Sequence, residues 1–313
     1  MTDLAVTIAD IRAAAERIAP YVHRTPVMTS KTVDDRFDAE VHFKCENLQR
    51  VGAFKARGAT NAVLSLSAED AANGVVTHSS GNHGQAVAYA AAVRGIPAWV
   101  VMPETATPVK VDAVRGYGAQ VAFCEQSERE TMAERVRVST GATLIHPFDD
   151  AAVIAGQGTA TLELLDQVPD LDIVLAPIGG GGLLSGAAVV ARSLRPDAAI
   201  VGAEPLAVDD AYRSLATGHR QPGVPDPFTV ADGLLTGIGQ IPFDILRACG
   251  AEIVRVDEPS IIEAAKFMLE RMKLVVEPSA ATPLAAIATE PERFAGKRVG
   301  VIISGGNTDF AWM

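Results

Sequence analysis

The run DIVLAP at Asp172 to Pro177, followed after Ile178 by four glycines, Gly179 to Gly182, limits this chain more than any other stretch. A strand that is apolar at nearly every position is buried on both faces, which calls for a parallel sheet with helices on either side. The glycines then open a helix expected over Leu183 to Leu194. The same strand-then-helix rhythm recurs along the chain. Further strands are expected at Val41 to Cys45, Gly74 to Ser79, Ile96 to Met102, Gln120 to Cys124, Ala199 to Glu204, Glu252 to Val256 and Arg298 to Ser304.

Helices fall between them. Thr7 caps the first, with Asp10 three residues on and Ile8, Ile11, Ala15 and Ile18 as its apolar stripe. Another runs from Ala56 through Leu64, just after Lys55, and an alanine-rich one from His83 to Gly95. Ser127 followed by Glu130 predicts a capping box. A helix follows from about Gly158 to Gln167, and Pro259 and Pro278 suit the first turns of two more. The fold expected is α/β: a large, open, twisted, mostly parallel sheet domain over 1–72 and 147–313, with a smaller α/β domain inserted over 73–146. Gly218 to Gly239, rich in proline and glycine, has no clear assignment.

Composition excludes several functions. With 27 Lys plus Arg against 38 Asp plus Glu, the formal charge is -11, so no basic stripe exists to displace counterions from nucleic acid. Cys45, Cys124 and Cys249 are odd in number and form no CxxC pair, which argues against a disulfide framework. MTDLAVTIAD carries acidic groups and no basic region ahead of an apolar one, so no signal peptide is expected. Nor is there an apolar run of about 20 residues. The reading is a soluble cytoplasmic protein with no membrane or nucleic-acid partner.

Four polar segments leave the carboxyl ends of expected strands, the edge at which parallel sheets bind ligands. Gly179 to Gly182 keep side chains away from successive N–H groups at a helix start, an arrangement that favours phosphate. A tight turn needed only for packing is the alternative. Neither the pattern of a dinucleotide site nor that of a P-loop is met, so a single terminal phosphate is expected. SSGNHGQA, Ser79 to Ala86, clusters short hydrogen-bonding groups: Ser79, Ser80 and Gly81 for a substrate carboxylate, and Asn82 for a ring hydroxyl. An Asx/Ser turn that only caps a helix fits too, and His83 is then a polar first-turn residue. Glu204, the Val208 carbonyl and Asp210 offer hard oxygen ligands for Mg²⁺ (or Ca²⁺ or Mn²⁺), or form an acidic turn without metal. SGGN, Ser304 to Asn307, closes the last strand. Within GAFKARG, Lys55 read in isolation is a solvated surface charge; beside these segments it becomes an amine nucleophile, its proton affinity lowered by burial under Phe54.

These motifs resemble a known family. AFKARGA at Ala53 to Ala59, SSGNHGQA, GGGG, VEPSA at Val276 to Ala280 and SGGN are similar to those of serine/threonine dehydratases and serine racemases, fold-type II pyridoxal-phosphate enzymes. The resemblance, which spans nearly the whole chain, implies pyridoxal 5'-phosphate on Lys55 as Schiff-base lysine, with Phe54 beside the cofactor. It implies Asn82 at the ring hydroxyl, Gly179, Gly180, Gly181 and Gly182 at the phosphate and Ser304 at the pyridine nitrogen. A serine there leaves the nitrogen unprotonated, which favours elimination over transamination. The likeness further implies Ser80 as second catalytic residue and an activating Mg²⁺ at Glu204, Val208 and Asp210. Ser79, Ser80, Gly81 and His83 are expected around the substrate. Arg129 is the candidate for a second substrate carboxylate, as related 3-hydroxyaspartate dehydratases require; by composition alone it is a helical surface residue.

Two departures stand out. Ala53 occupies a position where many relatives have serine, and no segment after Met313 matches the isoleucine-sensing region of biosynthetic threonine dehydratases. A catabolic or racemising enzyme is therefore expected, not a feedback-controlled one. The leading expectation is an ammonia-lyase that converts L-serine, L-threonine or 3-hydroxyaspartate to a 2-oxo acid and ammonia. A serine racemase, with or without elimination at the same site, is the second. A homodimer is expected from the family habit.

Overall fold

Near-continuous apolar runs along the central strands decide the architecture. In the computed structural model, which describes residues 4–79, 81–106 and 108–313, ten strands form two sheets. They are β1 (Val27–Thr29), β2 (Glu40–Cys45), β3 (Val75–His78), β4 (Ala98–Pro103), β5 (Gln120–Cys124), β6 (Thr143–Leu144), β7 (Ile173–Pro177), β8 (Ala199–Pro205), β9 (Glu252–Val256) and β10 (Arg298–Ile303). The larger sheet has the order β1-β2-β10-β7-β8-β9 and is parallel except for β1, which pairs antiparallel with β2. The smaller sheet, β5-β4-β3-β6, is parallel throughout.

As expected, β7 is buried along its full length. Ile173 and Leu175 face one core with Phe43, Val301 and Ala285. Val174 and Ala176 face the opposite core with Ile302, Leu184 and Ala187. Alternate residues of one strand thus serve two helix layers, and each fully buried aliphatic side chain contributes about 1.5–3 kcal/mol.

The helix Lys55–Ser65 stands at the seam between the two sheets. Ala59, Ala62 and Val63 share a core with Ala86, Ala90 and Ala91 of the helix Asn82–Arg94, under β3 and β4. On its other side it crosses the helix Ala151–Gln167 so closely that a Cβ at Gly156 would lie 2.6 Å from Gly58 Cα. That same helix meets the helix Gly182–Leu194 at Gly158 and Gly186, where a Cβ on Gly186 would lie 2.5 Å from Gly158 N. One helix therefore holds both the lysine and the glycine run at backbone contact.

The Thr7–Asp10 capping box is present. The expected cap at Ser127 is not: Gln126–Glu128 form a 3-10 turn, and the helix Arg129–Thr140 begins after it without a side-chain cap. The helix expected from Gly158 starts at Ala151, because Asp150 accepts hydrogen bonds from Ala152 N and Val153 N. Within 218–239 a 3-10 turn occurs at Asp232–Leu234, and a helix, Gln240–Ala248, follows. All three cysteines are buried and free. Among the described residues no helix is long and apolar enough to cross a membrane.

Candidate active site

Beyond the carboxyl ends of β3, β7 and β10 lies a cavity of about 1220 Å³. Lys55 is the first residue of its helix, and the turn before it is stitched to the exit of β10. Phe54 N donates to Ser304 O at 2.9 Å, and Ala53 forms a bridge with Gly305. The Lys55 amine donates to the Pro147 carbonyl at 2.7 Å. Burial pushes its pKa down to about 8, and the negative charge of Glu277 offsets part of that fall. Burial lowers the amine's proton affinity, as expected, and Phe54 opposes part of that fall. Its ring lies 5.1 Å from the amine as a cation–π partner, which favours the charged form; burial does the lowering.

Gly179, Gly180, Gly181 and Gly182 line the same cavity at the start of the thirteen-residue helix Gly182–Leu194. Among the described residues, the N–H groups of Gly179, Gly180 and Gly181 donate to no protein acceptor. Gly181 has φ 89, and a Cβ on Gly180 would fall 2.3 Å from the Phe148 ring. Free donors, a helix start and no room for side chains fit a phosphate group.

Asn82 and Ser304 also line the cavity, the latter only 3% exposed. Asn82 Nδ2 donates to both carboxylate oxygens of Glu277 at 3.0 Å, and its Oδ1 accepts from Asn307 Nδ2 at 2.8 Å. Ser79 and Gly81 line the cavity, Ser79 Oγ accepting from Gly81 N at 3.2 Å. Ser80 lies outside the described residues. His83 lines the cavity with its buried ring against the Ile145 carbonyl at 3.2 Å, and burial holds its pKa well below the usual value. Arg129 reaches the cavity too, its Nε donating to Gln126 O at 3.1 Å.

The acidic loop stands apart. Glu204, Val208 and Asp210 do not line the cavity, so three of the four strand-exit segments converge there and the fourth does not. Glu204 is 1% exposed, accepts from Ala211 N and Tyr212 N at 2.9 Å, and has its pKa raised to about 8 by burial. Asp210 accepts from Ile238 N at 2.7 Å, and burial raises its pKa as well. Neither makes an ion pair among the described residues, whereas Asp209 is tied to Arg213 and Arg255. No group of three or more His, Cys, Asp or Glu with metal-site geometry occurs among the described residues. Two buried carboxylates without a cationic partner nonetheless match the donor chemistry of a hard cation completed by carbonyl and water.

Several contributors escaped the sequence reading. Glu277 is buried, its pKa raised to about 7 by burial, and Asn307 sits beside it. Both belong to motifs noted above, but no local pattern said which way they face. The segment after β6 was unmarked: His146 Nδ1 accepts from Asp149 N at 2.9 Å, Pro147 holds the lysine, and Phe148 packs on the glycines. Beneath the lysine helix, Arg57 is wholly buried and pairs with Glu46 at 2.7 Å and Glu163 at 2.8 Å.

Fold and site together are those of an α/β enzyme with a lysine amine and a phosphate-fitting glycine turn on one cavity. Residues 18–305 match the family model described as "Pyridoxal-phosphate dependent enzyme", and the chain belongs to that family. It is 49% identical to the serine racemase of Dictyostelium discoideum, covering 98% of this chain and 96% of that one. It is 48% identical to the beta-hydroxyaspartate dehydratase of Paracoccus denitrificans, covering 97% and 96%. The maize serine racemase structure superposes with a TM-score of 0.94 at 43% identity, covering 98% of this chain and 96% of that one. The chain thus uses pyridoxal phosphate, with family-level dehydratase or racemase activity on small hydroxy amino acids.

Proposed function

We propose that this chain is a serine racemase that also eliminates water from β-hydroxy amino acids. The order of the two readings is reversed from the sequence expectation, because serine racemases from several organisms match over nearly the full length. The observation that carries the reading is the half-buried Lys55, which lines one cavity with the glycine cradle and whose amine is held at 2.7 Å by Pro147 O.

The chemistry supplied by pyridoxal phosphate, when bound, is a sink for the electron pair of the broken Cα–H bond. The residues that would hold it are Lys55, the N–H groups from Gly179 to Gly182, Asn82 at the ring hydroxyl, Ser304 at the ring nitrogen and Phe54 alongside. Lys55, neutral above about pH 8, takes the α proton on its side of the substrate. Ser80 is assigned the opposite side on the resemblance alone; a proton returned from there inverts the centre. Ser79 and Gly81, which line the cavity, orient the substrate carboxylate. His83 lines that end, its Nε2 held by Ile145 O. If the β-hydroxyl departs first, taking a proton and leaving as water, the released enamine tautomerises and is hydrolysed by water to a 2-oxo acid and ammonia. Arg129, at the cavity wall, would meet a second carboxylate in 3-hydroxyaspartate.

Glu204, the Val208 carbonyl and Asp210 are the proposed Mg²⁺ ligands (Ca²⁺ or Mn²⁺ having the same oxygen preference), supported by two buried carboxylates that make no ion pair among the described residues. The reading includes residues 73–146 as a separate domain over the cavity and a homodimer, both checkable by limited proteolysis and light scattering.

The deciding measurement is product analysis with L- and D-serine, L-threonine and the 3-hydroxyaspartate isomers. D-serine formed from L-serine is expected, with pyruvate as a second product. A 2-oxo acid alone would return the elimination-only reading, and no product from any substrate would remove both.

A further inference from the structure

The hydrogen bonds around Asn82 run in one direction. Asn307 Nδ2 spends its two hydrogens on Val51 O at 2.7 Å and Asn82 Oδ1 at 2.8 Å. Asn82 must then present Nδ2 to its other neighbours, and Glu277, an acceptor when ionised, takes it at 3.0 Å. One hydrogen shared between the two carboxylate oxygens, both 3.0 Å from Nδ2, would leave the other for the cavity that Asn82 lines. Glu277 is itself fixed: its N–H donates to Gly305 O at 3.1 Å, and a Cβ on Gly305 would lie 2.7 Å from its carboxylate.

The other arm of Asn307 reaches a strained place. Val51 has φ 54, a left-handed conformation that a β-branched residue rarely adopts, and Gly52 follows at φ 70. Asn307 holds the Val51 carbonyl, Gly306 N donates to Gly52 O at 2.9 Å, and a Cβ on Gly52 would meet Asn307 Oδ1 at 2.5 Å. Three residues later the chain reaches Lys55.

We infer that Glu277 and Asn307 are positioning residues: they lock the Asn82 amide with its N–H toward the cofactor hydroxyl, and Asn307 ties that contact to the turn that aims Lys55. This rests on the proposed placement of Asn82 at the ring hydroxyl. An unlocked Asn82 amide can rotate its carbonyl toward the hydroxyl, which changes the ring's protonation behaviour. Loss of the Asn307–Val51 bond frees a backbone conformation that costs energy to maintain.

The test uses the holoenzyme and reads the pH midpoint of its visible absorbance band, its apparent cofactor affinity and its melting temperature. Asn82→Ala should shift the band midpoint. Glu277→Ala and Asn307→Ala should shift it in the same direction and weaken cofactor affinity by roughly three- to tenfold, the worth of one buried hydrogen bond. Glu277→Gln, whose Oε1 still accepts from Asn82, should stay near the parent. Adding Val51→Gly to Asn307→Ala should recover melting temperature without restoring the band, because glycine holds φ above zero unaided. A band unmoved by Asn307→Ala and Glu277→Ala while Asn82→Ala moves it would overturn the lock and leave the Asn82 contact standing. No shift from Asn82→Ala would overturn both. Equal shifts for Glu277→Gln and Glu277→Ala would assign the effect to charge and reject positioning. Asn307→Ala carries the same reading if Glu277→Ala does not fold.

Discussion

Lys55 owes its chemistry to where its amine lies. A solvated lysine holds its proton to about pH 10.4, whereas burial brings this one to about 8 and leaves it neutral under mildly basic conditions. The sign follows: the neutral amine attacks an aldehyde, so cofactor uptake by the apo-protein should accelerate as pH rises through about 8 and level off above it. Stopped-flow absorbance would show this, and a midpoint near that of a free lysine would contradict the burial argument. Lys55→Ala should abolish the absorbance band and turnover together. The motif around Lys55 was readable because its neighbours are small and aromatic. The acceptor at Pro147, 92 positions away, was not.

At the scale of elements, the cradle depends on a helix start pressed against one ring. Gly180→Ala places a methyl group about where the Phe148 ring lies, 2.3 Å from its nearest carbons, and the ring's base cannot swing aside cheaply. Cofactor affinity should fall at least about tenfold, since either the N–H donors or the ring must move. Phe148→Ala in the same chain should recover part of it, as followed by fluorescence titration. Failure of that rescue would mean the glycine serves backbone conformation instead of space. The strand and helix pattern was legible here because DIVLAP and GGGG are local signals. The helix Ala151–Gln167 was seen only from Gly158, since its first turn is alanine and valine capped by an aspartate that reads equally as loop.

The whole molecule couples its parts through loops outside the sheets. Asp210 holds Ile238 N, and the next residue, Gly239, donates to Gly180 O at 3.1 Å, so the carboxylate pair is two hydrogen bonds from the cradle. The Mg²⁺ proposed at Glu204 and Asp210 should raise melting temperature, adding about 2.7 kcal/mol of stability at a hundredfold excess over Kd. Glu204→Gln should remove that response; an unchanged Mg²⁺ shift in the variant would place the cation elsewhere. Fold class and the strand exits were determined by the sequence alone, which also singled out the lysine, glycines and closing serine that line the cavity. Burial pattern and backbone freedom are written into neighbouring residues. Tertiary structure alone decided that β10 lies between β2 and β7, and hence that Glu277 meets Asn82 across 195 positions and Asn307 meets Val51 across 256. It also kept the acidic loop out of the cavity lining. Such contacts follow from strand order, which depends on how distant apolar faces pack and leaves no mark on any single segment.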